Sequence, residues 1–179
     1  PSGVALDSLG NIYVADENHR IMKWAPDGSV GVLVAGGNGS GSAINQFSSP
    51  YGITLDSLGN IYVSDWNNQR VMKWAPSASE GVLVAGGNGS GSATNQFSNP
   101  YGVTLDSSEN IYVADTSNHR IMKWAPGASE GTVVAGGNGN GSAFNQFSSP
   151  YGVTLDSLEN IYVTDSQNHR IQKVQVTPE

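Results

Sequence analysis

The sequence predicts an all-β protein, a radial stack of four-stranded antiparallel blades: a β-propeller. Three observations predict it. The stretch NIYVADTSNHRIMKWAP at 110–126 has counterparts at 11–26, 60–76 and 160–176. The repeats keep a nearly constant period: Pro50, Pro100 and Pro150 lie 50 residues apart, and Pro1 to Pro50 spans 49. Such a period belongs to solenoids and propellers. No segment carries apolar residues at i, i+3, i+4 and i+7, so helices are not expected.

Taken in order, each repeat reads as four short strands. YGVTLD at 101–106 is the first, with Val103 and Leu105 on one face. DSSEN is a polar turn, since Asp and Asn side chains bond nearby backbone. NIYVAD is the second strand; Ile111 and Val113 face one way, Tyr112 and Ala114 the other. After the short loop TSN comes HRIMKW, closed by Ala125-Pro126 because proline cannot donate to a ladder. GTVVAGG is the fourth strand, and the linker NGNGSAFNQFSS leads to the next repeat. Apolar residues on both faces require a sheet packed on each side, which a ring of blades supplies.

The blades run over about 1–49, 50–99, 100–149 and 150–179, and the last is expected to end after its third strand, near Val176. Asp16 to Asp65 is 49 residues but Arg20 to Arg70 is 50, so the first repeat is one residue short between its Asp and its Arg. The chain begins in mid-motif without Met, which suggests a piece of a longer protein.

The recurring elements P-x-G-V-x-x-D, N-I-Y-V-A-D, N-H-R-I and V-A-G-G, in this order over the whole chain, resemble the NHL-repeat family. Its Asn-His pair stands at Asn18-His19, Asn118-His119 and Asn168-His169; the second repeat departs, with Asn68-Gln69. The resemblance implies a propeller, usually of six blades. About four are present, so the chain belongs to a larger propeller, associates with itself to complete one, or leaves an arc with exposed apolar faces.

Composition narrows the partners. Net charge is -7, with 8 basic against 15 acidic residues, and both nucleic acid and anionic membranes call for clustered Lys and Arg. No apolar run approaches the ~20 residues of a membrane span. Cysteine is absent, so there is no disulfide framework. An extracellular setting is favoured, though nothing fixes the compartment. Asn38-Gly39-Ser40 and Asn88-Gly89-Ser90 are sequons that matter only in a secreted chain.

Most candidate chemistry reduces to repeat. His19, His119 and His169 sit on separate blades and would diverge, whereas zinc needs converging ligands; they are expected to bond backbone across the adjoining turn. Two carboxylate rings, Asp7, Asp56, Asp106, Asp156 and Asp16, Asp65, Asp115, Asp165, could hold Ca²⁺ at a channel mouth but are expected to cap turns. The linker GGNGSGSA lacks the Lys-Ser/Thr of a phosphate loop and reads as a flexible surface connection. Tyr13, Tyr62, Tyr112 and Tyr162, with Trp24, Trp74, Trp124 and Phe47, Phe97, Phe147, read as blade packing.

Trp66 is different. It stands where the other copies carry Glu17, Thr116 and Ser166. It is either a binding hot spot or a ring folded onto its own blade. Copies disagree in two places: the second-to-third-strand loop (Glu17; Trp66, Asn67; Thr116, Ser117; Ser166, Gln167) and the linker position Ile44, Thr94, Phe144. Both are expected on one propeller face, where a protein or glycan would bind. Four nearly identical first strands, GVALDS, GITLDS, GVTLDS and GVTLDS, offer no asymmetric catalytic constellation. The expectation is therefore a non-catalytic module with neither cofactor nor metal. A fragment of a metal-dependent propeller enzyme resembling amidating lyases is the alternative, and RNA binding, which some NHL propellers perform, is a third.

Overall fold

A computed structural model describes residues 1–175. It contains four antiparallel sheets arranged as successive blades. Blade 1 comprises β1 (Gly3–Leu6), β2 (Ile12–Asp16), β3 (Arg20–Trp24) and β4 (Val32–Gly36). Blade 2 comprises β5 (Pro50–Leu55), β6 (Ile61–Asp65), β7 (Arg70–Trp74) and β8 (Val82–Gly86). Blade 3 comprises β9 (Pro100–Leu105), β10 (Ile111–Asp115), β11 (Arg120–Trp124) and β12 (Thr132–Gly136). Blade 4 has β13 (Pro150–Leu155), β14 (Ile161–Asp165) and β15 (Arg170–Val174) among the described residues. The expected end of the last strand at Val176 lies outside the described residues. Within each blade the strands stand in chain order, and β1, β5, β9 and β13 contact one another in turn. The first strands are therefore innermost.

Three cores lie between blades. The first joins Tyr13, Ala15, Ile21, Ala35 and Phe47 to Ile53, Ile61, Val63, Met72 and Trp74 of blade 2. The other two repeat this one blade further on each time. Period-2 alternation produces the pattern: one side chain set leaves a sheet towards the next blade, the other faces the previous one. Phe47 and Phe97, from the linkers, meet Trp74 and Trp124 at ring centroids 4.6 Å apart. Gly81 and Gly131 floor these indoles, and a Cβ at either would run into the ring.

Two expectations are corrected. Helical structure does occur, as 3₁₀ turns at Trp66–Asn68, Thr116–Asn118 and Ser166–Asn168. A three-residue turn is too short to leave an apolar period. Blade 1, one residue shorter, makes a plain turn at 17–19 instead. The linkers are also not loose connections. Asn88 Nδ2 donates to the Asn95 carbonyl at 3.0 Å, Gln96 Nε2 donates back to the Asn88 carbonyl at 2.8 Å, and Gly91 N–H bonds the Phe97 carbonyl at 3.0 Å. Asn38 and Asn138 make the same bonds to Asn45 and Asn145. The amide of each sequon asparagine thus holds its own loop closed, and the copy that is not a sequon does the same.

Candidate functional site

The repeated polar residues resolve into three structural devices. Asp7, Asp56, Asp106 and Asp156 cap the first turn, as expected. In blade 3, Asp106 accepts the N–H groups of Ser108 and Asn110 at 3.0 and 2.9 Å, plus Asn110 Nδ2 at 2.7 Å. The Tyr112 hydroxyl donates to the same carboxylate at 3.2 Å, and Lys123 Nζ lies 3.5 Å from it and over the tyrosine ring. Bonds from Asn160 hold Asp156 down at about 2.

The second carboxylate ring does not cap its own turn, except in blade 1. Asp115 is fully buried and receives Arg120 Nε at 2.7 Å, Asn118 Nδ2 at 2.8 Å and the Ser98 N–H at 2.7 Å. The same guanidinium donates to the carbonyls of Ser92, Ala93 and Gln96. Asp65 and Asp165 do likewise with Arg70 and Arg170. Burial pushes Asp65 and Asp115 above the ordinary carboxylate range despite the bonds they receive. These aspartates clamp the incoming linker to its blade. Asp16 bonds the Asn18 N–H and Arg20 in a half-exposed pair.

The histidines reach further than their own turn. His19 and His119 occupy left-handed backbone, at φ 60 and 53, which aims the ring at the next blade. Their Nδ1 atoms accept the N–H of Ser49 and Ser149 at 3.3 and 3.2 Å. Gln69 Oε1 accepts the Asn99 N–H in the same way at 2.7 Å, which explains how glutamine substitutes. Among the described residues, no three His, Asp or Glu side chains come together as a metal cluster.

The variable positions divide. Asn67, Ser117 and Gln167 are exposed beside the linker ends: Asn67 Nδ2 donates to Ser49 Oγ at 3.1 Å, Ser117 Oγ accepts from Asn99 at 2.9 Å, and Gln167 Oε1 accepts from Ser148 Oγ at 2.9 Å. Glu17 is exposed in the shorter loop, and Ser166 is half-buried. Thr116 leaves the candidate surface: it is buried, and its hydroxyl donates to the Pro150 carbonyl at 2.5 Å. Ile44, Thr94 and Phe144 do not join the loops either. The closed linker pushes them towards the third-to-fourth-strand turn of the next blade, where the carbonyls of Ile44 and Thr94 accept the N–H of Gly81 and Gly131 at 2.8 and 2.9 Å. Thr94 Oγ1 also donates to Glu130 at 2.6 Å. Among the described residues blade 4 has no fourth strand, and the Phe144 ring is 95% exposed.

Trp66 reaches beyond its own blade. It is half-buried, and its ring lies 5.9 Å from Tyr101 of the following blade, tilted by 42°. Its indole N–H is buried and has no partner among the described residues. Tyr101 is the middle of a row that sequence reasoning missed: Tyr51 meets it edge-on and Tyr151 at a 51° tilt, each with ring centroids 4.4 Å apart. They sit at the end of the innermost strands nearest the second-to-third loops, because Pro100 pairs with Asp115, the last residue of β10. Burial, with Tyr151 and Tyr51 beside it, pushes the Tyr101 phenol up to about 12. The signal was available in the recurring Pro-Tyr-Gly; blade 1 carries Ser2 in place of the tyrosine.

The fold and these repeated devices define a propeller built from one repeated blade. A family model described as NHL repeat matches residues 1–23, 47–74, 97–124 and 147–174, more than half of the chain, and the chain belongs to that family. No curated protein matches it. Among solved structures, one of unknown function from Bacteroides thetaiotaomicron is similar at TM-score 0.80 and 22% identity, covering 96% of this chain and 46% of that one. A nidogen/laminin complex is similar at TM-score 0.72 and 25% identity, over 96% and 57%. A catalytically inactive virginiamycin B lyase from Staphylococcus aureus, with quinupristin, is similar at TM-score 0.60 and 14% identity, over 98% and 55%. The chain thus spans about half the length of these structures.

Proposed function

We propose that the chain is a non-catalytic binding module that recognises a protein or glycan through the face of its second-to-third-strand loops. Trp66, Asn67 and the Tyr51–Tyr101–Tyr151 row form its centre. One observation carries this reading: the aromatic that breaks the repeat rests on the row of aromatics at the inner end of the same loops. Tryptophan and tyrosine are enriched at hot spots, and flanking amide and hydroxyl groups supply orienting bonds. Ser117 and Gln167 extend the polar part of the surface.

Two further features support it. All eight Lys and Arg stand in ion pairs with aspartates of their own blade, which disfavours a phosphate backbone as ligand. The likeness to a nidogen/laminin complex favours a protein ligand. The test is a glycan array and a panel of matrix proteins including laminin, probed with wild type and Trp66→Ala. At least a tenfold loss of affinity for the captured ligand is expected. Undiminished binding by Trp66→Ala would refute this placement of the site. The enzyme alternative has its own readout: stoichiometric Zn²⁺ or Ca²⁺ in the purified protein, lost on His119→Ala or Asp106→Asn, would overturn the binding-only reading.

A further inference from the structure

We propose that the junction between blades 1 and 2 holds a binding site for a carboxylate, at the end of the molecule opposite the second-to-third-strand loops. The three junctions share one repeated group. Lys23, Lys73 and Lys123 each lie over the tyrosine of their own blade, Tyr13, Tyr62 or Tyr112. Each also faces the aspartate that follows the first strand of that blade, Asp7, Asp56 or Asp106, at 3.9, 3.5 and 3.5 Å. What comes across the junction from the next blade differs.

At the second junction, Glu109 of blade 3 brings its carboxylate to 3.9 Å from Lys73 Nζ. At the third, Glu159 of blade 4 accepts the Ser107 hydroxyl of blade 3 at 3.0 Å. Both glutamates thus reach back to the preceding blade. Their counterpart in blade 2 is Gly59. Lys23 and Ser8, the counterparts of Lys73 and Ser107, therefore receive no carboxylate across the first junction. Asp7 is occupied by its own turn, accepting the N–H groups of Leu9 and Asn11, the Asn11 side chain and the Tyr13 hydroxyl. Gly59 stands at φ 80, and Glu109 and Glu159 stand at φ 62. This left-handed backbone favours glycine, so glutamate is held there at a conformational cost that its contact across the junction offsets.

Beside Gly59 lies a hollow of about 300 Å³ lined by Asp7, Tyr13, Lys23, Val34, Ile61 and Pro76. Its walls come from blades 1 and 2, so it is enclosed within the chain. A Cβ on Gly59 would meet nothing nearer than Pro76, at 3.6 Å. The Lys23 ammonium and the Ser8 hydroxyl offer the two contacts that Glu109 and Glu159 make at the other junctions. Asp7 does not bar a second carboxylate, because Lys73 holds two, Asp56 at 3.5 Å and Glu109 at 3.9 Å. Val34, Ile61 and Pro76 give the hollow an apolar wall, and pockets of this kind use few polar groups to orient a mostly apolar ligand. The ligand is therefore a carboxylate on a short apolar stem, either a free organic acid or a glutamate side chain of a protein.

The test is an NMR titration of the full chain that follows backbone amides and lysine side chains. The probes are sodium butyrate and a peptide capped at both ends whose only carboxylate is one glutamate, with sodium chloride at equal ionic strength as control. The Gly59 amide and the Lys23 side chain should shift and saturate in wild type. Gly59→Glu installs the residue of blade 3 at a backbone conformation that Glu109 already adopts, so it should fold and bind either probe at least tenfold more weakly. Lys23→Met should weaken binding to the same extent. Glu109→Gly should open a second site, seen as a saturable shift of the Lys73 side chain. Tighter binding of the peptide than of butyrate would support the site with a protein side chain as its source, and the reverse would support it with a free acid. No saturable shift up to about 0.1 M of either probe, shifts reproduced by chloride, or shifts that persist in Gly59→Glu would overturn the proposal.

Discussion

Arg120 and Arg20 hold the same place in the repeat but carry different weight. Arg120 is buried against a fully buried Asp115 and spends its remaining donors on three linker carbonyls. Arg20 faces a partly exposed Asp16 and is itself partly exposed. Removing one member of a buried pair strands the other charge, at a cost of about 3–5 kcal/mol. An exposed pair contributes about 0–1 kcal/mol. Denaturant unfolding should therefore show Arg120→Leu much less stable than wild type and Arg20→Leu within about 1 kcal/mol; equal losses would contradict the clamp. Tyr101 adds a pH dependence. Its folded pKa of about 12 lies above the ordinary 10.0, so the fold keeps the proton that the unfolded chain loses. Its contribution is present below pH 10 and lost towards 12. Tyr101→Phe should flatten the fall of the thermal midpoint over that range, and an unchanged slope would contradict the assignment. The pairing of Asp with Arg is visible in the sequence as co-recurrence. The carbonyls that complete the shell are not, because they lie 24 to 28 residues earlier in the chain.

At the scale of elements, the strands are legible because period-2 patterning is local. The expected first strand at 101–106 is observed at Pro100–Leu105, and the others begin or end within a residue or two of expectation. The linker was not legible. Gly, Ser and Asn have no apolar period, so its order comes from Asn88, Gln96 and Arg120 bonding backbone across the loop, which composition does not encode. Its anchor is Phe97, fully buried against Trp124. Phe97→Ala should destabilise the protein by about 3–5 kcal/mol, and hydrogen exchange should show linker 87–99 losing protection before β9. Protection lost uniformly across blade 3 would show that the linker is not a separable element. The linker also decides the fate of Ile44 and Thr94: once it closes, those residues face the next blade's outer turn and leave the loop surface.

At the scale of the whole molecule, fourfold repetition separates scaffold from site. A side chain that recurs answers a need of the blade that carries it, and the structure finds such a need for the Asp, Arg and Tyr of all four copies and for the His and Trp of three. The exceptions stand out against that background. Trp66 and Asn67 give blade 2 an aromatic and an amide where blade 3 has Thr116 and Ser117, and the Trp66 ring reaches the tyrosine row. The sequence shows Trp66 as an outlier. That it lies on Tyr101 was hidden, since the contact joins two blades and depends on their spacing. The most direct measurement gives blade 2 the loop of blade 3, with the double variant Trp66→Thr, Asn67→Ser, and repeats the glycan and matrix-protein panel. The fold should survive, since the lost aromatic contact contributes about 0.5–1.5 kcal/mol, while affinity for the ligand captured by wild type should fall at least tenfold. A folded double variant that binds as wild type does would contradict the account.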